Sequence, residues 1–453
     1  MVIAVRGLAS LRGPRTGGAS MNSHVREAGN ALINPDRLWD DLMALAEITE
    51  PGRPHTRRSF SPLFLDGRRW LEGRFEEAGM SVRYDNAANL IARREGGVAG
   101  LSPIVLGSHS DTVPSGGRFD GILGVLAGLE VVRTLTERGI VTRHPIEVID
   151  FLAEEPSEYG LSCVGSRAMS GHLRNDLLAL KRSDGESLGQ AIARVGGKRD
   201  ELANALRTDI AAFLELHIEQ GRVLESGGTD VGLVTGIVGI VRLRIVFTGA
   251  ADHAGATPFD LREDALVAAA HMVTTVRSVG EDLSRRGRGY VIATTGCLDV
   301  EPNAANVVPG RVTMVVEVRA EDAVLLDEFV EVIDQASEVV ASWLRVRRSE
   351  FTLLSSSRPA LCDTRLRNHL AVSAQELRLT SVPMASGAGH DAAFLSLIAP
   401  MAMVFVPSRD GKSHCPEEWT EKQQCADGTA VLLEALLRVD RDETFDAPAV
   451  ADA

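Results

Sequence analysis

The residues with chemistry to offer sit in short runs at the ends of apolar segments. Eleven histidines stand at 24, 55, 109, 144, 172, 217, 253, 271, 369, 390 and 414. His109 follows the apolar run 104–107, His217 lies near the end of 213–218, and His414 sits in the loop after 401–406. An adjacent carboxylate pair, Glu154-Glu155, follows a fourth such run at 146–152. Ligands of α/β sheets bind at the carboxyl ends of strands. Three imidazoles and a carboxylate pair converging there make a donor set for divalent metal. Two neighbouring carboxylates repel each other unless a cation intervenes. One can ligate it while the other works as general base on water at that metal. In His109-Ser110-Asp111 a carboxylate lies two residues from an imidazole, and a ligating His commonly gives its second N–H to such a partner. Gly116-Gly117-Arg118-Phe119-Asp120-Gly121 is a glycine-rich turn before an apolar helix; it either presents Asp120 inward or uses it as the helix cap. Each signal is weak singly, since a lone His is more often structural and an acidic pair is often a solvated turn.

Such residues need a scaffold that gathers distant strand ends. Leu38, Leu42, Leu45 and Ala46 recur at helical spacing behind a cap at Asn34 or Asp36. A second helix is expected at 69–78, a strand at 104–106, a buried helix at 122–135, and strands at 146–152 and 213–218. Strands alternating with helices predict a parallel or mixed sheet covered on both faces. After Gly227-Gly228 the pattern changes. A strand at 239–247 leads to a long helix at 263–283, with Asp260 and Glu263 as its capping box. Strands at 290–295 and 312–318, a helix at 325–344 and a strand at 351–354 follow. The order βαββαβ is the ferredoxin-like split motif. It predicts a small domain at 236–356 inserted into a larger one made of 34–235 and 357–453.

Composition excludes several classes. The chain has 453 residues, more than one compact core usually holds. Lys plus Arg is 48 against 62 for Asp plus Glu, a net charge of −14 with no basic block, so nucleic acid is not an expected partner. No run reaches the roughly 18 consecutive apolar residues of a membrane helix. The five cysteines, at 163, 297, 362, 415 and 425, form no CxxC, which fits a reducing cytoplasm and indicates neither a disulfide framework nor a thiolate zinc site. Cys415, beside His414, has no evident base and reads as packing. Residues 1–33 are expected to be an untargeted, disordered segment, with Met21 a second candidate start.

The same motifs, in the same order, resemble the M20-type metallohydrolases, within them the hydantoinase/carbamoylase group. The matching segments are Gly-Ser-His109-Ser-Asp-Thr-Val, Gly-Gly-Arg-Phe-Asp120-Gly, Glu154-Glu155, Leu-His217-Ile-Glu-Gln-Gly, Asp252-His253-Ala-Gly-Ala-Thr-Pro, Asn306-Val-Val-Pro-Gly, Ser386-Gly-Ala-Gly-His390-Asp391 and Pro407-Ser-Arg-Asp-Gly-Lys-Ser-His414. Leu-His-Ile-Glu-Gln-Gly and Ser-Gly-Ala-Gly-His-Asp are the most specific to the carbamoylase group. Peptidase relatives usually carry an acid where His217 stands.

The resemblance implies a metal-dependent exopeptidase-like α/β domain with a ferredoxin-like lid that also forms a homodimer. It implies two divalent ions (zinc, manganese or cobalt) bridged by Asp120, one also held by His109 and His217, the other by Glu155 and His414. Glu154 would be the base and Asp111 the partner of His109. His253, from the lid and acting across the dimer, would polarise the scissile carbonyl and stabilise the oxyanion. Gln220, Asn306 and Arg319 would hold the substrate, and His390 would support the pocket. The implied reaction is cleavage of the carbamoyl C–N bond of N-carbamoyl-L-amino acids or related ureido acids. An allantoate amidohydrolase is the nearest alternative; an M20 dipeptidase or aminoacylase, or a non-catalytic metal-stabilised dimeric binding protein, lies further off. Where many relatives follow the Glu pair with Gly-Ser-Arg-Phe, this chain has Pro156-Ser157-Glu158-Tyr159, which leaves the ligands alone and bears on substrate choice.

Overall fold

A computed structural model describes residues 32–446. The expectation for 1–33 lies outside these apart from Leu32 and Ile33, and Ile33 is packed into the core. The chain enters through the helix Pro35–Ala46, where Asn34 accepts a hydrogen bond from the Arg37 N–H and Pro35 occupies a first-turn position that needs no donor. The next helix is Pro62–Glu77, beginning well before the expected 69. Ser61 caps it and Pro62 starts it, a signal that outranks the apolar spacing further on.

The strands are β1 (Ser81–Tyr84), β2 (Leu90–Arg94), β3 (Ile104–His109), β4 (Ile146–Phe151), β5 (Ala212–Ile218), β6 (Val231–Ile237), β7 (Gly239–Thr248) and β8 (Asp252–His253). They continue with β9 (Val291–Glu301), β10 (Val307–Val308), β11 (Arg311–Ala320), β12 (Arg347–Ser357), β13 (Ala360–Leu361), β14 (Ser381–Ser386) and β15 (Met401–Val406). Nine of them form one mixed sheet in the order β1-β2-β4-β3-β5-β15-β6-β13, with β14 paired to β6. Its centre, β4-β3-β5-β15, is parallel throughout. These four strands are buried along their whole length, which is why each reads as a continuous apolar run rather than an alternating one. Because they run the same way, their carboxyl ends share one edge of the sheet. The helix Ile122–Glu137, buried almost all round, packs beneath that edge with Gly121 at its N-cap position.

A second sheet, of four strands, has the order β12-β7-β11-β9, all antiparallel. With the helices Ala265–Arg285 and Ala323–Trp343 it gives the βαββαβ order, and it has its own apolar core around Phe247, Met272, Met314 and Phe329. The capping box expected at Asp260 and Glu263 is not formed. The helix starts at Ala265, and its cap is Asp264, which accepts from the N–H groups of Leu266 and Val267. Asp260 lies in a short 3-10 turn, and the Glu263 carbonyl is taken by the Ala250 N–H, which keeps the chain extended one turn longer. No helix among the described residues is long and apolar enough to cross a membrane.

Candidate metal centre

The parallel strands deliver their chemistry to one place. His109 is the last residue of β3, and His217 is one residue short of the end of β5. Glu154 and Glu155 follow β4, and His414 stands in the loop after β15. Asp120 arrives from the glycine-rich turn ahead of the buried helix. Gly121 explains that turn. Its φ is +70°, and a Cβ there would sit 2.3 Å from His109 Nε2, so only glycine lets the Asp120 backbone lie against the imidazole.

The two Asp120 oxygens face different neighbours. Oδ1 is 3.2 Å from His217 Nε2 and 4.0 Å from His109 Nε2, while Oδ2 is 2.9 Å from His414 Nε2. Glu155 Oε1 is 3.2 Å from the same His414 nitrogen. Two groups of prospective ligands result, His109/Asp120/His217 and Asp120/Glu155/His414, each with its donor atoms within 4.8 Å of one another and sharing Asp120. The donors fit a divalent cation in their tautomers as well as their positions. His109 Nδ1 lies 3.0 Å from the Asp111 carbonyl and His217 Nδ1 2.9 Å from the Ile218 carbonyl. A carbonyl only accepts, so each ring carries its hydrogen on Nδ1, and the neutral ring turns its Nε2 lone pair toward Asp120.

The charge count points the same way. Asp111, Asp120, Glu154, Glu155, Asp391 and Glu418 are all buried around this edge. Burial pushes the Glu154 carboxyl well above its usual range, with Glu155 and Asp391 adding to the push and His109 opposing it. Burial also acts to raise Asp120, but its contacts with His217 and His414 outweigh that and hold it well below the usual range. Hydrogen bonds to Asp120 and Glu155 push the His414 imidazole up to about 11. Without a cation, protons on the imidazoles balance the carboxylates. A divalent ion would replace them.

Glu154 and Glu155 are separated by the backbone between them. Asp111 accepts from both of their N–H groups at 3.3 Å, and Ala153 before them has φ +54°, an unusual conformation for a residue with a side chain. Glu155 turns to His414. Glu154 turns the other way, with Oε2 3.6 Å from His109 Nε2 and Oε1 accepting from the Cys163 thiol at 3.5 Å. Asp111 therefore touches both the His109 imidazole, at 3.5 Å, and the turn that aims the two glutamates.

The remaining expected residues divide. Gln220, at φ +58°, gives its amide N–H to Asp120 Oδ2 at 3.1 Å and to Ser413 Oγ at 3.2 Å, so here it touches the shared carboxylate. His390 is buried against the His217 ring at 4.5 Å between centroids and hydrogen-bonds Ser386 Oγ at 2.8 Å. His253, on the small β8–β10 ladder, and Asn306, in the turn just before β10, are both exposed, and the Ala254 N–H donates to the Asn306 carbonyl. Arg319 lies on β11. No hydrogen bond or ion pair joins these last three to the Asp120 cluster among the described residues.

Glu418 is a residue the sequence reading missed. It is fully buried and accepts from the N–H groups of Phe119 and Asp120 at 2.8 and 3.1 Å, and from Ser413 Oγ at 2.7 Å. A Cβ on Gly117 would fall 1.8 Å from its Oε1, so that glycine exists to admit this carboxylate. One side chain thereby fixes the turn bearing Asp120 and the loop bearing His414. Its only sequence signal is an acid four residues beyond that histidine.

A family model for peptidase family M20/M25/M40 matches residues 105–438. The chain is 39% identical over 415 residues to an N-carbamoyl-L-amino acid amidohydrolase of Geobacillus stearothermophilus, covering 91% of this chain and 100% of that protein. It is 34% identical over 414 residues to a ureidoglycolate hydrolase of Oryza sativa, covering 90% of this chain and 85% of that one. Among solved structures it resembles an amidase of the hydantoinase/carbamoylase family from Burkholderia multivorans, with a TM-score of 0.83 at 35% identity, covering 90% of this chain and 98% of that one.

Proposed function

The chain belongs to peptidase family M20/M25/M40 and is an enzyme acting on amides, and from that premise we propose that it cleaves the carbamoyl C–N bond of N-carbamoyl-L-amino acids or related ureido acids. The products are the amino acid, ammonia and carbon dioxide. The observation that carries the reading is Asp120, whose two oxygens each face a separate group of prospective ligands while Glu154 stands outside both groups. We assign His109, Asp120 and His217 to one divalent ion, and Asp120, Glu155 and His414 to a second. Zinc, manganese and cobalt all suit such ligands. Divalent ions bound there supply Lewis acidity to the scissile carbonyl and make water more acidic.

The chain's own groups do the rest. Glu154 takes the proton from the attacking water and returns it to the leaving nitrogen. A carboxyl whose pKa is raised by burial suits a group that must both accept and give a proton. His253 stabilises the oxyanion. Its Nδ1 accepts from the N–H groups of Gly255 and Ala256, both at 3.1 Å, so the neutral ring carries its hydrogen on Nε2 as an outward donor. Arg319 binds the substrate carboxylate, for which a planar guanidinium offers two parallel hydrogen bonds. Gln220 and Asn306 complete the substrate contacts.

We further assign 236–356 as a lid that dimerises, with His253 serving the partner's site, in a cytoplasmic enzyme. Among the described residues the strand β9 pairs with β11 alone and so forms a sheet edge, and a groove of about 760 Å³ between it and the helix Ala265–Arg285 is lined by Val273, Val276, Ile292 and Ala293. Such an edge is a template for pairing with another chain. The test is an ammonia-release screen on metal-reconstituted protein, using N-carbamoyl amino acids, allantoate, ureidoglycolate, ureidopropionate and dipeptides. Carbamoyl acids should be turned over fastest, and chelated protein should be inactive. Full turnover without metal, or a preference for dipeptides, would overturn the reading.

A further inference from the structure

The face of the four-stranded sheet away from its helices carries a charged triad built around Arg319, and its other two members have no part in the reaction as proposed. Glu317 and Arg319 are two residues apart on β11 and so point to the same side. Glu317 pairs in register with Arg242 on β7. Its two oxygens are divided between two arginines: Oε1 accepts from Arg319 Nε at 2.7 Å, and Oε2 from Arg242 Nε at 2.6 Å. From the other sheet, the Gly387 carbonyl accepts from Arg319 Nη1 at 2.5 Å. Two of the three guanidinium nitrogens are thereby fixed, and Nη2 has no hydrogen-bond partner among the described residues.

We infer that Glu317, backed by Arg242, is the positioning residue that aims Arg319 at the substrate carboxylate. The inference rests on the proposed reading of Arg319 as the clamp. A free arginine side chain loses rotamer entropy when it is immobilised. Holding Nε and Nη1 beforehand removes much of that cost from substrate binding. An acid beside an anion site would ordinarily repel the ligand. Here Arg242 meets the charge of Glu317, so the triad keeps one net positive charge, and it is free on the Arg319 side. Gly387 belongs to the segment that follows β14, so the seat also spans the two sheets. A carboxylate bound there bridges the smaller sheet and the sheet that carries Asp120.

The test compares an N-carbamoyl amino acid that the enzyme turns over with its carboxamide, which lacks the anion. Glu317→Ala should lower the acid-to-amide ratio of kcat/KM about tenfold, through KM for the acid, as expected for loss of a charged hydrogen-bonded arrangement. Glu317→Gln keeps an acceptor for Nε and should restore the ratio to within about threefold of wild type. Arg319→Lys serves as the reference for loss of the clamp. If Arg319→Lys collapses the ratio and Glu317→Ala leaves it intact, the clamp stands and Glu317 does not position it. If Glu317→Ala loses equally on acid and amide, its role is structural and the inference is overturned. If neither variant changes the ratio, the reading of Arg319 itself has failed.

Discussion

Glu154 and Glu155 are neighbours in sequence yet face opposite partners, and the consequences of removing their charges should be opposite too. Glu154→Gln keeps size and a hydrogen-bonding oxygen but cannot take a proton. It should retain metal and bind substrate while turnover falls by roughly 10²–10⁴-fold. Glu155→Gln should instead weaken one ion, with excess metal partly restoring activity. Metal content and single-turnover rates on the two variants decide it; the reverse pattern would exchange the roles. The imidazoles carry a second expectation. In the metal-free protein His414 is raised from 6.5 to about 11 by Asp120 and Glu155. A group raised in this way contributes stability that is complete below 6.5 and is lost as pH climbs toward about 11. A bound cation must displace that proton, so metal uptake at neutral pH should release protons, and affinity should rise between about pH 6 and 8. Calorimetry in buffers of different ionisation enthalpy measures the release. Uptake without protons, or an affinity flat with pH, would show that His414 is not displaced.

What the elements contribute was unevenly legible. Buried parallel strands announce themselves as unbroken apolar runs, and here each run ends on its own chemistry, so β3, β4, β5 and β15 and the residues after them could be read directly. The helix cap at Asp264 could not be separated from Asp260 by local pattern, because the choice is made by the bond from the Ala250 N–H to the Glu263 carbonyl. Gln220 was expected to meet substrate, and only the backbone turn at its positive φ shows that its amide reaches Asp120. Glu418 was invisible for a similar reason: it acts on N–H groups of a loop 299 residues away. Its importance can be measured. Glu418→Ala leaves two buried N–H groups without an acceptor and should cost about 2–6 kcal/mol, at roughly 1–3 for each unsatisfied donor. It should also loosen both ions together, since Asp120 belongs to both proposed ligand groups. Glu418→Gln keeps one acceptor oxygen and should recover much of the stability. Denaturant unfolding and metal titration of the two variants test this; loss of only one ion, with stability unchanged, would contradict the role.

The molecule taken whole joins two sheets with separate cores, and its proposed chemistry draws on both. The prospective ligands and Glu154 stand at the edge of the nine-stranded sheet, whereas His253 stands exposed on the β8–β10 ladder and Asn306 in the turn before β10, without a hydrogen bond to that cluster among the described residues. An exposed imidazole with an outward Nε2–H is of no use until something brings it to a carbonyl. Either the smaller sheet closes on its own site, or a partner chain supplies the histidine, as the β9 sheet edge favours. The two arrangements differ in a mixture of inactive variants. Take Glu154→Gln and His253→Ala chains, each inert alone, and let them exchange subunits. In a two-fold dimer with His253 acting across the interface, a mixed pair contains one site with an intact glutamate from one chain and an intact histidine from the other. Its second site carries both defects. Random exchange makes half of the dimers mixed, so about a quarter of wild-type activity should return. If His253 serves its own chain, every site in every dimer lacks one group and nothing returns. Subunit exchange is verified separately by mass or by tag pull-down, so that failure to mix is not read as failure to complement. Recovery near a quarter assigns the histidine to the partner; no recovery in a demonstrated mixture assigns it to closure of the chain's own smaller sheet.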